Sequence, residues 1–125
     1  METWGRYLIV AAFALHGIGM LGGGLTLPLV QRKPDSAFGH SWLLSRLGAL
    51  EPVIGTILWG LAGLGFIVAA AGFGLDAEWW RLGAWVGAPL TIVVVVLWYG
   101  AVPPGTYVGG VLAALTIGAL VIGAG

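Results

Sequence analysis

The sequence predicts an all-α, polytopic membrane protein: a four-transmembrane-helix bundle with a short interfacial helix between the first and second helices. Three observations carry this expectation. Of the 125 residues, 59% are hydrophobic and only 8% charged, against roughly a quarter charged in an ordinary soluble domain, and no water-facing core of this size hides so much apolar surface. The charges fall into clusters that separate four apolar runs of ~18 to 24 residues, where a helix rising 1.5 Å per residue needs about 20 to cross a ~30 Å hydrocarbon core. Tryptophan and tyrosine, which collect where lipid meets water, sort into two belts: Trp4, Tyr7, Trp79, Trp80 and Trp85 at one face, and Trp42, Trp98, Tyr99 and Tyr107 at the other. The chain reads as one domain, residues 1–125.

The first helix, about Tyr7–Val30, is longer than the apolar part of a secretory signal, at most ~15 residues, and is expected as a retained span. His16 lies in its middle, within "FALHGIGMLGGGLTLPLV", ~14 Å down the axis from Tyr7. An imidazole at that depth needs a partner for its N–H, so its side chain is expected inside the bundle, toward the second or third helix. Two readings stand. One is interhelical glue, bonded to a carbonyl or to Thr56, Thr91 or Thr116. The other is a functional group: a haem or metal ligand, a proton relay, or a polar contact to a bound lipophile.

The first connection, Gln31 to Glu51, is the long one. "QRKPDSAFGHS" is polar and broken by proline and glycine, and "WLLSRLGALEP" reads as a short interfacial helix stopped before Pro52. Leu43, Leu47 and Leu50 share a face of it. Glu51 falls about 140° from Arg46 at 100° per residue, which makes them poor partners within one helix. Glu51 is expected as a solvated carboxylate at the positive end of the second helix, and His40, between Phe38 and Trp42, as an interfacial loop histidine. His16, Glu51, His40, Arg46 and Trp59 are the candidates for ligand binding or function.

The remaining helices run about Pro52–Leu75, Leu82–Tyr99 and Tyr107–Gly125. Short connections make them antiparallel neighbours, and four spans put both termini on one side. Pro89 interrupts the third helix and leaves the carbonyl of Trp85 without its usual donor. Glycine, 23 residues in all, recurs as Gly19-x-x-x-Gly23, Gly83-x-x-x-Gly87 and Gly105-x-x-x-Gly109. Such stripes let backbones approach closely in lipid, here within the chain first and in a homodimer second.

The inventory of polar groups excludes several functions. Zero formal net charge leaves no basic patch for a nucleic acid backbone. Without cysteine there are no disulfides, thiolate metal sites or thiol redox chemistry. No pair of acids at membrane depth can do general acid and base work, no serine sits beside His16, and a zinc or di-iron site lacks converging ligands. Haem held by both His16 and His40 of one copy fails on distance, since axial nitrogens lie roughly 4 Å apart and these residues on the order of 10 Å apart in depth. Arg32, Lys33 and Arg46 on the first connection nearly balance Arg6, Arg81 and the amino terminus opposite, with a narrow margin for the first connection in the cytoplasm and the termini outside.

"ALHGIG" in the first helix, "LWGLAGLGFIVAA" in the second, "EWWRLGAWVGAPLTIVVVVLWYG" in the third and "PPGTYVGGVLAAL" opening the fourth resemble a group of small uncharacterised four-helix integral membrane proteins of prokaryotes, DoxX-like in general shape. That resemblance covers most of the chain and implies the architecture and a prokaryotic cytoplasmic membrane. "LHGIGMLGG" is similar to the first helix of CopD-like and haem-associated small membrane proteins, which would make His16 a haem ligand.

The leading functional expectation is a small non-catalytic membrane protein: an accessory or assembly subunit, or a binder of a hydrophobic ligand, with the lipid bilayer, other membrane subunits or a second copy as partners. One alternative is a membrane enzyme or haem protein acting on a lipophile through His16, with Glu51 or His40 at the entrance. A second is a small dimeric transporter, by analogy with four-helix multidrug transporters that carry one charged residue in the first helix.

Overall fold

The computed structural model describes residues 3–31, 40–102 and 104–123; Arg32 and Lys33, on which the expected orientation leans, lie outside them. Among the described residues there is no strand; outside the helices they form turns, bends and short irregular stretches. Four helices follow one another, α1 (Thr3–Gln31), α2 (Leu50–Gly74), α3 (Trp80–Leu97) and α4 (Pro104–Val121), with a four-residue 3-10 turn at Leu44–Leu47. Three helices are long and apolar enough to cross a membrane, α1, α2 and α3; the apolar stretch of α4, Gly105–Val121, is shorter. At 29 residues α1 is ~43 Å long, so it either tilts or carries its ends into the interfaces.

Two expectations about the first connection are corrected. The interfacial helix reduces to the 3-10 turn, because Gly48 takes a left-handed conformation (φ 59°) and ends it. The second helix starts at Leu50 rather than Pro52: a proline in the first turn removes an N–H that has no intrahelical acceptor there, so Pro52 does not stop the helix.

The helices pack in sequence, α1 on α2, α2 on α3 and α3 on α4, while α1 and α4 make few close backbone approaches. Glycine sets the spacing of α2 to both its neighbours. A Cβ on Gly63 would lie 2.6 Å from the Gly17 carbonyl oxygen and the Leu21 nitrogen of α1, and one on Gly65 would lie 2.5 Å from the Gly87 nitrogen of α3. Two residues apart, Gly63 and Gly65 face opposite sides of the helix. Gly83 and Gly87 do line the crossing onto α2, and Gly23 packs on the Trp59 ring. Gly19 and Gly105 are corrections: a Cβ on either meets nothing within 4 Å, so the packing phase of α1 is set by Gly17 and Gly24 instead.

Pro28 explains a further contact between α1 and α2. Its missing N–H frees the carbonyl of Gly24, and Thr56 Oγ1–H donates to that oxygen at 3.0 Å. Half of the core lies around Trp59 and Trp98, whose rings meet edge to face at 6.0 Å, and half around Phe13 and Phe66 at 5.4 Å. Trp98, at the end of α3, is 0% exposed, so its ring packs in the core instead of facing outward.

Gly65→Ala should lower the unfolding temperature of the purified protein in detergent, at a cost of about 1 to 3 kcal/mol for overpacking. Gly19→Ala should leave stability unchanged or raise it by up to about 1 kcal/mol through helix propensity. Equal losses from both would show that the glycine crossings are not what spaces the helices.

Candidate functional site

His16 lies ~20 Å along α1 from Thr3 and faces the interior. Its Nε2 shares a hydrogen bond with Thr91 Oγ1 of α3 at 3.1 Å, its ring meets Phe66 of α2 edge-on at 4.6 Å, and its Nδ1 and Cε1 edge abuts Gly109 of α4, where even a Cβ would collide. The imidazole therefore touches all three other helices. Thr91 is fully buried, and the shared bond gives it and one imidazole nitrogen a partner where hydrocarbon supplies none. A haem held by His16 needs one ring nitrogen aimed into open space wide enough for a porphyrin. Here one nitrogen is on Thr91 and the other is against the α4 backbone, so these residues do not fit the group.

At the opposite end of α1, the structure joins two candidates that the sequence kept apart. Glu51, expected to be solvated, is 2% exposed. Its Oε1 accepts from His40 Nδ1–H at 2.8 Å, and its Oε2 accepts the Ser41 backbone N–H at 2.7 Å. Ser41 is itself buried; its hydroxyl donates to the Leu97 carbonyl at 2.5 Å, and Trp42 Nε1–H donates to the Val96 carbonyl at 2.6 Å. Those two carbonyls belong to the last turn of α3, where helical donors run out; that of Val96 also accepts the Tyr99 N–H at 3.4 Å. The Ser41–Trp42 pair thus caps α3 from another part of the chain, and Glu51 holds that pair in place. Arg46 is exposed on the 3-10 turn. Trp59 is buried against Gly23 and Gly24, and its Nε1–H has no partner among the described residues.

A third feature went unread in the sequence. On the side of the bundle where the described chain begins, an apolar cleft of about 380 Å³ opens between α1 and α4, lined by Leu8, Ile9 and Phe13 of α1 and Leu112, Leu115 and Thr116 of α4, with Phe73 and Trp80 also on its wall. A polar hollow of about 370 Å³ adjoins it, lined by Arg6, Asp76, Glu78 and Arg81 and by the same Phe73 and Trp80. Arg6 Nη2 lies 3.3 Å from Asp76 Oδ1. Periodicity locates a helix face but not a seam between the first and last helices, so no pattern in the sequence announced the cleft.

No protein-family model matches the chain, and neither a curated protein nor a solved structure matches it.

Glu51→Ala should destabilise the protein by about 1 to 3 kcal/mol, the cost of leaving the buried Ser41 N–H without an acceptor; Glu51→Gln, which keeps one acceptor oxygen, should lose less. Thermal unfolding of both variants in detergent checks the order. His16→Leu should lose about 1 kcal/mol or less, because the Thr91 hydroxyl can turn to the carbonyl one turn back, as Thr116 does toward Leu112 at 2.8 Å. A loss several times larger would show that the imidazole carries more than one interhelical bond.

Proposed function

We propose that this chain is a small integral membrane protein that binds a hydrophobic ligand in the cleft between α1 and α4, and that it does so without catalysing a reaction. On this reading α4 crosses the bilayer with the other three helices, in a prokaryotic cytoplasmic membrane, with the termini outside. The observation that carries the proposal is the cleft. It is walled almost wholly by apolar side chains, it is open to the outside of the bundle beside the exposed Leu8 and Leu115, and its volume of about 380 Å³ falls in the lower part of the roughly 300 to 1,000 Å³ typical of ligand sites. Two turns of α4, Leu112 to Ala119, border it, a length of ~10 Å that suits a segment of alkyl chain. The polar groups of the chain support a non-catalytic role, because His16 and Glu51 are both committed to holding helices and loops together.

Monoolein, a chain-bearing lipid with an uncharged head, tests this by native mass spectrometry of the detergent-purified protein. Wild type should retain one equivalent. Ala12→Phe, which fills the cleft from α1, should reduce retention about tenfold, worth ~1.4 kcal/mol, with the unfolding temperature unchanged or raised. Retention that is the same in both proteins would overturn the assignment of the cleft.

A further inference from the structure

In a bilayer an alkyl chain gains nothing from leaving water, since it is already in hydrocarbon, so a cleft that accepts a chain from the membrane selects its ligand mainly at the polar end. Phe73 and Trp80 line both the apolar cleft and the charged hollow beside it, so the two adjoin across these side chains. Among the described residues the hollow carries two guanidinium groups, Arg6 and Arg81, and two carboxylates, Asp76 and Glu78. Their charges cancel, so a simple anion is not what the hollow complements. A zwitterion is. The Arg81 guanidinium lies over the Trp80 ring, 5.9 Å from its centroid, and Arg6 meets Asp76 through a single 3.3 Å contact with the carboxylate side chain 81% exposed, a pairing that a competing phosphate can replace at little cost.

The turn that ends α2 fixes where the Asp76 carboxylate stands. Asp76 follows the end of α2 in a left-handed conformation, φ 57°, the sole non-glycine with positive φ among the described residues, with its N–H on the Phe73 carbonyl and the Ala77 N–H on that of Gly72. Glycine is the default at such a helix end. Aspartate is among the few other residues that take this conformation readily, and here it sets its carboxylate at the rim of the hollow.

Resting on the cleft as the ligand site, we propose that the hollow seats the headgroup of a phosphoethanolamine lipid from the adjoining leaflet, its phosphate on Arg6 and Arg81, its primary ammonium on Asp76 and Glu78, and one acyl chain passing Phe73 and Trp80 into the cleft. Guanidinium groups match phosphate oxygens through paired N–H donors, and an ammonium brings three donors to the carboxylates.

Native mass spectrometry of the full chain in detergent, with phosphatidylethanolamine, phosphatidylcholine and phosphatidylglycerol of identical acyl chains and with monoolein, tests this. Wild type should retain phosphatidylethanolamine about three- to tenfold better than phosphatidylglycerol or phosphatidylcholine. Arg6→Gln should lower phosphatidylethanolamine to the level of monoolein without changing monoolein. Asp76→Gly should abolish the preference over phosphatidylglycerol and yet raise the unfolding temperature, since glycine relieves the backbone at φ 57°. Equal retention of all three phospholipids, retention of phosphatidylcholine equal to phosphatidylethanolamine, or a preference that survives both substitutions would overturn the headgroup assignment. If monoolein is still lost on Ala12→Phe in that case, the cleft stands and only the headgroup seat falls; if no lipid responds to Ala12→Phe, the cleft falls with it.

Discussion

The bundle depends on α2 being approached by backbone on both sides. Gly63 and Gly65 stand two residues apart on opposite faces, one against the Gly17 and Leu21 backbone of α1, the other against the Gly83 and Gly87 backbone of α3. Within hydrocarbon, apolar burial does not drive helices together, and association comes from dispersion contacts made at close range. Gly17 and Gly63, and Gly65 and Gly87, supply that range, and the larger side chains between the crossings, Phe13, Phe66, Trp59 and Trp98, fill the space that the spacing leaves.

Close approach also decides how polar groups are satisfied. The Gly24 carbonyl, freed by Pro28, is reached by Thr56 because Gly24 itself lets α2 come near. The imidazole of His16 reaches Thr91 because Gly109 leaves room for its ring. At the interface the same accounting is done by the loop: Ser41 and Trp42 donate to the last carbonyls of α3, and the buried carboxylate of Glu51 takes the Ser41 N–H and His40. In each place a residue that looks reactive in isolation is occupied by a structural hydrogen bond.

The helices were legible because hydropathy is additive over ~20 residues and the bilayer sets their length. Contacts between helices were not, because they depend on rotation about each axis. Trp98 sits near a helix end, which is all a belt reading can see, but its rotation turns it into the core beside Trp59. Gly19 and Gly23 have the spacing of a packing stripe, yet α2 crosses α1 along Gly17 and Gly24, a phase that four-residue spacing does not contain. Glu51 was readable as a poor partner for Arg46. Its pairing with His40 depends on how the connection folds back over α3, and the capping need of the Val96 and Leu97 carbonyls that draws it there becomes visible only once the end of α3 is fixed.

The seam between α1 and α4 follows from the same constraint applied where it fails. Of the α4 glycines, Gly105 and Gly118 meet nothing within 4 Å, Gly110 meets the Val95 side chain of α3, and Gly109 is filled by the His16 ring, so no pair of backbones draws the first and last helices together. His16 instead props them at mid-depth. One turn from it toward the start of α1, beyond Ala12 and Phe13, no glycine contact joins the two helices, and the side chains diverge into the cleft. The histidine thus stands at the inner end of the apolar space, while Arg6, Asp76, Glu78 and Arg81 stand at its outer end. A residue that reads as a reactive centre from the sequence is in this arrangement packed between α1 and α4 against Gly109, and the cleft lies on the side of it toward the charged rim.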